Sequence, residues 1–213
     1  MLMLTLVCSV VALPAECQTA ISADRAESQE SRQYFPAGVF DEDPKLSSFK
    51  ERWYSSYLAK MDEPSLFEMA NKDRPSTFRF LLVWMNHGLS ARLTLNSDGT
   101  GLLIGKILVA KHAGPRFDKT EVIVTNASIT VSSEQVRQFQ TLLQKADFWS
   151  LKSFETSGGG TDGFEWVFEA SRHDSYHVVD RWSPKEGEYT QVCRYLMNLS
   201  PLKLDERTRN SLP

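Results

Sequence analysis

The regular spacing of apolar residues is clearest after Ser132, where it predicts a well-defined helix. Ser132 and Gln135 have the three-residue spacing of a capping box, so the helix should begin there. The apolar residues beyond it recur every three or four positions, which puts them on one helix face: Val136, Phe139, Leu142, Leu143 and Ala146. That face has to pack against a core.

A second helix is expected near the C-terminus. Ser183 and Pro184 resemble a helix start, but Gly187 weakens the first turn, so the regular helix should begin at Glu188. Pro201 ends it. Its apolar face consists of Tyr189, Val192, Leu196 and Leu199, with Cys193 beside it.

Two strands are predicted between these helices, from Phe164 to Ala170 and from Ser175 to Trp182. A register that sets Phe168 opposite Val178 gathers the apolar side chains on one face and requires a connection of three or five residues, in which Asp174 takes left-handed backbone angles. It also sets Glu169 across from His177 and Glu165 across from Arg181 on the other face. The sequence therefore predicts a hairpin with one buried face and one solvated ionic face.

The first half of the chain predicts a further helix and a meander of strands. Apolar and aromatic residues at helical spacing indicate a helix over residues 46–60, and a short helix is expected after Pro64. Four strands are predicted at Thr77–Trp84, Leu89–Leu95, Gly101–Ala110 and Thr120–Val131. This order favours an α+β fold with an antiparallel sheet of about six strands, a meander plus a C-terminal hairpin, and helices packed on one face.

The N-terminal pattern indicates export. Residues 1–23 have the apolar run and small residues of a signal peptide, but no Lys or Arg precedes that run, so an uncleaved membrane-attaching segment or a misassigned start codon remains open. Residues 24–45 are polar and are predicted to be a disordered leader. One domain over residues 46–202 and a polar tail over 203–213 complete the expected organisation, with a periplasmic or secreted location.

Composition excludes some classes of function. A net charge of −3 gives no reason to expect nucleic-acid binding, and no membrane span is expected in the mature chain. Removal of the signal peptide would leave Cys193 as the one cysteine, more typical of a small core residue than of a nucleophile. No cofactor and no metal site are predicted.

The best candidates for catalysis are the four ionic residues of the predicted hairpin, Glu165, Glu169, His177 and Arg181. Carboxylates, an imidazole and a guanidinium on one face could bind a metal or an anion, or carry out acid–base chemistry. Cross-strand ion pairs on a solvated face are the commoner explanation, each stabilising the fold by at most about 1 kcal/mol.

The glycine-rich loop beside the hairpin supplies candidate ligand-binding residues. Residues 157–163 lack the Lys-Ser/Thr ending of a phosphate loop, so a flexible connection is the favoured interpretation. The candidate ligand-binding residues in and near this loop are Asp162, Gly163, Trp166 and Trp182.

The hairpin contains a sequence pattern that is also found in other proteins. The segment from Asp162 through Trp166 to Glu169, followed by Tyr176-His177-Val178-Val179-Asp180-Arg181-Trp182-Ser183-Pro184, resembles a group of bacterial secreted or hypothetical proteins. The similarity covers roughly residues 52–202 and implies no activity and no catalytic residue.

Two classes of function follow. The first is a non-enzymatic exported module of the cell envelope or periplasm, which binds a protein or a small molecule through its sheet face or its aromatic helix. The alternative is a small hydrolase or metal-dependent enzyme that uses Asp162, Glu165, His177 and Arg181. An enzyme should bury those groups in a concave pocket, whereas a module should leave them on an open face.

Overall fold

The structure is a computed structural model that describes residues 32–70, 74–84, 87–112, 120–155 and 163–202. The predicted signal peptide, residues 24–31 of the leader, most of the glycine-rich loop with Asp162, and the polar tail lie outside the described residues. Four α-helices and six strands are described, which confirms the predicted α+β class. The helices and strands belong to one compact unit that begins at Gln33.

Three of the four described α-helices begin after a residue whose side chain caps them, Asp43, Ser65 or Ser132. Helix α1 spans Pro44–Lys60, helix α2 Leu66–Met69, helix α3 Ser133–Lys145 and helix α4 Glu188–Leu199, and a short 3-10 helix spans Phe148–Ser150. Both members of the predicted capping box at Ser132 and Gln135 form their hydrogen bonds. Helix α1 begins two residues before the predicted start because Asp43 caps it and Pro44 follows.

The strands form one antiparallel sheet. They are β1 Thr77–Trp84, β2 His87–Leu95, β3 Gly101–His112, β4 Thr120–Val131, β5 Glu165–Arg172 and β6 Ser175–Trp182. Their order across the sheet is β4-β3-β2-β1-β5-β6, so the meander and the C-terminal hairpin meet where β1 pairs with β5. Strands β1 and β5 are therefore both interior strands of the sheet.

Helices cover both faces of the sheet, so the expectation of helices on one face only is wrong. On one face, α3 and α4 pack through residues such as Phe139 and Leu196 against Phe80, Trp166 and Phe168. We call this the α3/α4 face. On the opposite face, which we call the α1 face, helix α1 packs through Tyr54, Tyr57 and Leu58 against strand residues including Leu81, Val167 and Val178. Strands β1 and β5 are consequently buried on both sides.

The second half of the predicted disordered leader is part of this core, so that prediction is wrong for residues 33–43. Tyr34, Phe35 and Phe40 are buried with helix α1, and the rings of Phe35 and Phe40 pack edge-on against each other and against Tyr54. The Tyr34 hydroxyl also donates to the Glu63 carbonyl at 3.0 Å. These three aromatic side chains hold the otherwise polar segment 33–43 against the core, because each buries a large apolar area.

The predicted register of the C-terminal hairpin is wrong by one residue. Phe168 pairs with Val179 rather than with Val178, and Arg172 pairs with Ser175 across a two-residue turn. His173, not Asp174, has the positive φ, at 50°. Two-residue turns match the twist of paired strands, and this turn moves every side chain of β6 to the other face from the one predicted.

Candidate functional site

The corrected register divides the four candidate catalytic residues between the two faces. Glu165 and Glu169 lie on the α1 face, whereas His177 and Arg181 pair with Ala170 and Trp166 on the α3/α4 face. The face that carries the two glutamates is not solvated, because both side chains are buried. The predicted cross-strand ion pairs and the predicted wet ionic face are therefore both wrong.

Glu169 belongs to a fully buried ion cluster around Arg79. The Arg79 guanidinium donates from Nε and Nη2 to Glu169 Oε1, at 2.8 and 2.6 Å, and from Nη1 to Glu63 Oε2 at 3.3 Å. The Tyr176 hydroxyl donates to Glu169 Oε2 at 2.9 Å. Burial raises the pKa of Glu169, and the Arg79 charge opposes that rise.

Two further cations compensate Glu63. Arg92 Nε lies 2.8 Å from Glu63 Oε2, and Lys106 Nζ lies 2.9 Å from Glu63 Oε1. Burial works toward a higher pKa for Glu63, but Arg79, Arg92 and Lys106 outweigh it and lower the pKa. Lys106 also donates to the carbonyls of Met61 and Asp62. These contacts fix the α1–α2 connection on the sheet, so the cluster is structural.

Glu165 belongs to a second cluster, with Asp180, Lys50 and Tyr54. Glu165 and Asp180 are diagonal neighbours on β5 and β6, because Val167 pairs with Asp180 and Glu165 pairs with Trp182. Lys50 Nζ donates to Asp180 Oδ2 at 2.7 Å but lies 3.9 Å from Glu165 Oε2. The Tyr54 hydroxyl donates to Asp180 Oδ1 at 3.2 Å. One lysine thus faces two carboxyl groups.

The protonation of this pair follows from its surroundings. Burial raises the pKa of Glu165 to about 7; the Asp180 charge adds to that rise and Lys50 opposes it. Burial also raises the pKa of Asp180, again against Lys50. Because Lys50 donates directly to Asp180, we assign the charge to Asp180 and the proton to Glu165 near neutral pH.

His177 lies on the opposite face, away from both carboxylates. Its ring packs edge-on against Phe148, with 4.9 Å between centroids, and lies near Trp149. Burial lowers the pKa of His177. The histidine is therefore neutral at pH 7 and forms part of an aromatic group rather than of an ion cluster.

Arg181 lines a cleft at the end of strand β6. Its side chain is 9% exposed, and it donates to the Asp180 carbonyl from Nη1 at 2.7 Å and to the Lys152 carbonyl from Nη2 at 2.9 Å. Its guanidinium carbon lies 5.7 Å from the centroid of the Tyr189 ring. The guanidinium is thus held by main-chain and aromatic contacts that fix its direction.

The cleft has a volume of about 500 Å³ and lies between the end of β6 and the first turn of helix α4. Arg181 and Lys185 are its basic side chains, Trp182 and Tyr189 its aromatic ones, and Glu155, Glu186 and Glu188 its acidic ones. The volume suits a small organic molecule or a few residues of a peptide. Neither Glu165 nor Asp180 is among its lining residues.

The candidate ligand-binding residues have different environments. Trp182 lines the cleft, whereas Trp166 is fully buried in the core on the α3/α4 face. Gly163 lies against the Trp182 ring, since a Cβ added there would be 2.5 Å from a ring carbon. Asp162 lies outside the described residues. Of the predicted set, Trp182 therefore lines the cleft and Gly163 packs against its ring.

Several residues of these sites were not expected from the sequence. Lys50, Tyr54, Arg79 and Glu155 come from elements distant in sequence, so no local spacing connects them with the hairpin. Arg79 gives one signal, because it is a charged residue within an otherwise apolar strand. Asp180 gives another, because it is a charged residue that alternates with Val178 and Trp182 along strand β6.

Cys193 is fully buried, and burial raises the pKa of its thiol well above the usual range, which agrees with a core role. Within the described part of the chain, no cluster of three or more His, Cys, Asp or Glu side chains could hold a metal ion. No helix in that part is both long enough and apolar enough to cross a membrane.

Comparison with known proteins identifies no relative. No protein-family model, no curated protein and no solved structure matches the chain.

Proposed function

We propose that the protein is a non-enzymatic binding module whose ligand, a small molecule or a short peptide segment, occupies the cleft beside Arg181. The observation that carries this proposal is the buried guanidinium of Arg181, fixed by two main-chain carbonyls in the wall of a cleft of about 500 Å³. A few fixed polar groups with aromatic neighbours are typical of ligand sites.

The cleft is a better candidate than the surfaces expected from the sequence. Both faces of β1 and β5 are covered by helices, so these strands have no open face for a ligand. The aromatic helix α1 buries Tyr57 and Leu58, and its exposed apolar side chains are Leu46 at 42% and Phe49 at 53%. Two side chains make a small patch, and single exposed apolar residues are common on protein surfaces.

A blocked variant tests this proposal directly. Gly187 lines the cleft, its φ of 168° suits any residue, and a Cβ there would have no atom within 4 Å. Gly187→Trp should therefore fill the cleft without disturbing the fold. Gln144→Trp, on the exposed surface of α3, is the matched control.

The measurement is a ligand-observed NMR screen of small metabolites and short peptides against native protein and both variants. Ligands should bind the native protein and the Gln144→Trp variant and should be lost with Gly187→Trp. Binding that survives Gly187→Trp would contradict the proposal, as would a screen that finds no ligand for the native protein.

The location of the module is also a proposal. The apolar pattern of residues 1–23 supports export to the periplasm or the exterior. Fractionation of expressing cells, with mass spectrometry of the mature N-terminus, tests it. Cleavage near residue 23 is expected, and an intact N-terminus in the cytoplasmic fraction would contradict export.

An enzyme is the second candidate, and one observation favours it. Glu165 is a buried carboxyl group with its pKa raised to about 7, which is a property of general acids. The enzyme set expected from the sequence cannot act together, because two of its members, Glu165 and Arg181, lie on opposite faces of the sheet. A hydrolase substrate panel tests this alternative: activity that Glu165→Gln abolishes without affecting cleft binding would favour the enzyme.

A further inference from the structure

The ion pair between Arg181 and Glu155 is strongly asymmetric. Arg181 Nε lies 3.0 Å from Glu155 Oε1, but the Arg181 side chain is 9% exposed whereas that of Glu155 is 60% exposed. The cation is therefore fixed in the cleft wall, and its carboxylate partner reaches it from the solvent side. An exposed partner contributes little to stability, because ordering it costs entropy and water screens the charge.

The position of Glu155 follows from the segment that precedes it. The Asp180 amide donates to the Ser153 carbonyl at 2.7 Å, and Arg181 donates to the Lys152 carbonyl. Residues 152 and 153 thus run along the outer edge of β6. Two residues later the chain brings the Glu155 carboxylate to Arg181 Nε.

The guanidinium can accept a different carboxylate. Arginine has five N–H donors in a planar fork that matches a carboxylate. In Arg181, the nitrogens Nη1 and Nη2 each donate to one main-chain carbonyl, and Nε faces Glu155. A ligand carboxylate at the Nε position would replace Glu155 without breaking either main-chain contact.

We propose that Glu155 occupies the position of the ligand's carboxylate, and that a carboxylate-bearing ligand displaces it from Arg181. This inference rests on the proposed function. Glu186 and Glu188 also line the cleft, so a second negative charge on the ligand would be repelled. The ligand class is therefore a monocarboxylate whose remaining part is neutral or cationic, such as a peptide C-terminus or an amino-acid derivative.

The test compares two substitutions of cleft glutamates. Glu155→Gln removes the competing charge at an exposed position, where the fold should tolerate it. Glu186→Gln is the matched control, because its side chain lines the same cleft and is 93% exposed, 4.0 Å from Arg194 rather than beside Arg181. Both variants change the net charge equally.

The probe is 4-acetamidobutyrate, which reproduces the glutamate side-chain carboxylate on a neutral body, and its amide is the uncharged comparison. Dissociation constants are measured from the shift of the Trp182 indole N–H signal. Glu155→Gln should bind the carboxylate about two- to fivefold more tightly than the native protein, the equivalent of removing one exposed ion pair. Glu186→Gln should give less than half of that gain, and the amide should not distinguish the variants.

Each other outcome decides against the inference. Equal carboxylate affinity in the native protein and Glu155→Gln, or an equal gain for the amide, would overturn it. If the Gly187→Trp comparison still identifies cleft ligands, the proposed function survives that result. If neither probe binds any variant and the screen also finds no cleft ligand, both proposals fail.

Discussion

The native protein should lose stability as pH rises toward 8, and replacing Glu165 by glutamine should prevent most of that loss. The pKa of Glu165 is raised from 4.5 to about 7, mainly by burial, so the folded state holds this proton more tightly than the unfolded chain. The stabilising contribution is fully present below about pH 4.5 and is lost as pH rises through about 7.

The magnitude follows from the same shift. At about 1.36 kcal/mol per pKa unit, the rise from 4.5 to about 7 corresponds to roughly 3 kcal/mol of stability lost by pH 8. Asp180 shares this titration, so the effect belongs to the pair. Glutamine keeps the size of the side chain and carries no charge, so the variant should be about 1–3 kcal/mol more stable than the native protein at pH 8.

The assay is urea unfolding followed by tryptophan fluorescence between pH 5 and pH 8.5. The native free energy of unfolding should fall across this range, and the Glu165→Gln profile should be flatter. Glu134→Gln, with a side chain that is 75% exposed, is the control and should keep the native profile. An unchanged pH slope in Glu165→Gln would refute the buried-pair explanation.

Three further substitutions test other parts of the structure. Arg79→Met should cost about 3–5 kcal/mol of unfolding free energy, because it leaves buried carboxylates without their main cation; adding Glu169→Leu should recover part of that loss, and no recovery would argue against the cluster. Ser132→Ala should cost about 1 kcal/mol through loss of the capping box, and unchanged urea unfolding would contradict this. Gly163→Ala should cost about 1–3 kcal/mol and shift the tryptophan fluorescence, since its Cβ would overlap the Trp182 ring; a native-like spectrum and stability would disprove that contact.

The elements of the fold could be predicted from local sequence patterns. Strands β1, β4 and β6 have the predicted bounds, and the capping box of α3 and the start of α4 at Glu188 are confirmed. These features depend on neighbouring residues along the chain: cap spacing, apolar periodicity and turn residues. They are therefore visible without knowledge of the tertiary structure.

The environment of the hairpin could not be predicted in this way. Within the hairpin alone, Glu165 and Glu169 are matched best by Arg181 and His177, which favours the wrong register. In the structure the cations come from elsewhere, Lys50 from helix α1 and Arg79 from strand β1. Because Lys50 lies 130 residues from Asp180 in sequence and Arg79 lies 90 residues from Glu169, local charge matching could not identify them.

In the candidate site, too, some features are visible in the local sequence and others depend on the tertiary structure. Trp182 and Arg181 were identified as chemically interesting residues, but their common cleft depends on how β6 meets helix α4. The partner Glu155 depends on the path of the chain beside β6. Residue type indicated the chemistry, whereas only the tertiary arrangement separates the Arg181 cleft from the buried Glu165–Asp180 pair.

The most direct measurement is a crystal structure of the protein with a small molecule that the NMR screen selects. Density for that molecule in the cleft, contacting Arg181 and the neighbouring aromatic rings, is the predicted result. Density at the Glu165–Asp180 pair, or on the exposed Phe49 surface with the cleft empty, would contradict the account.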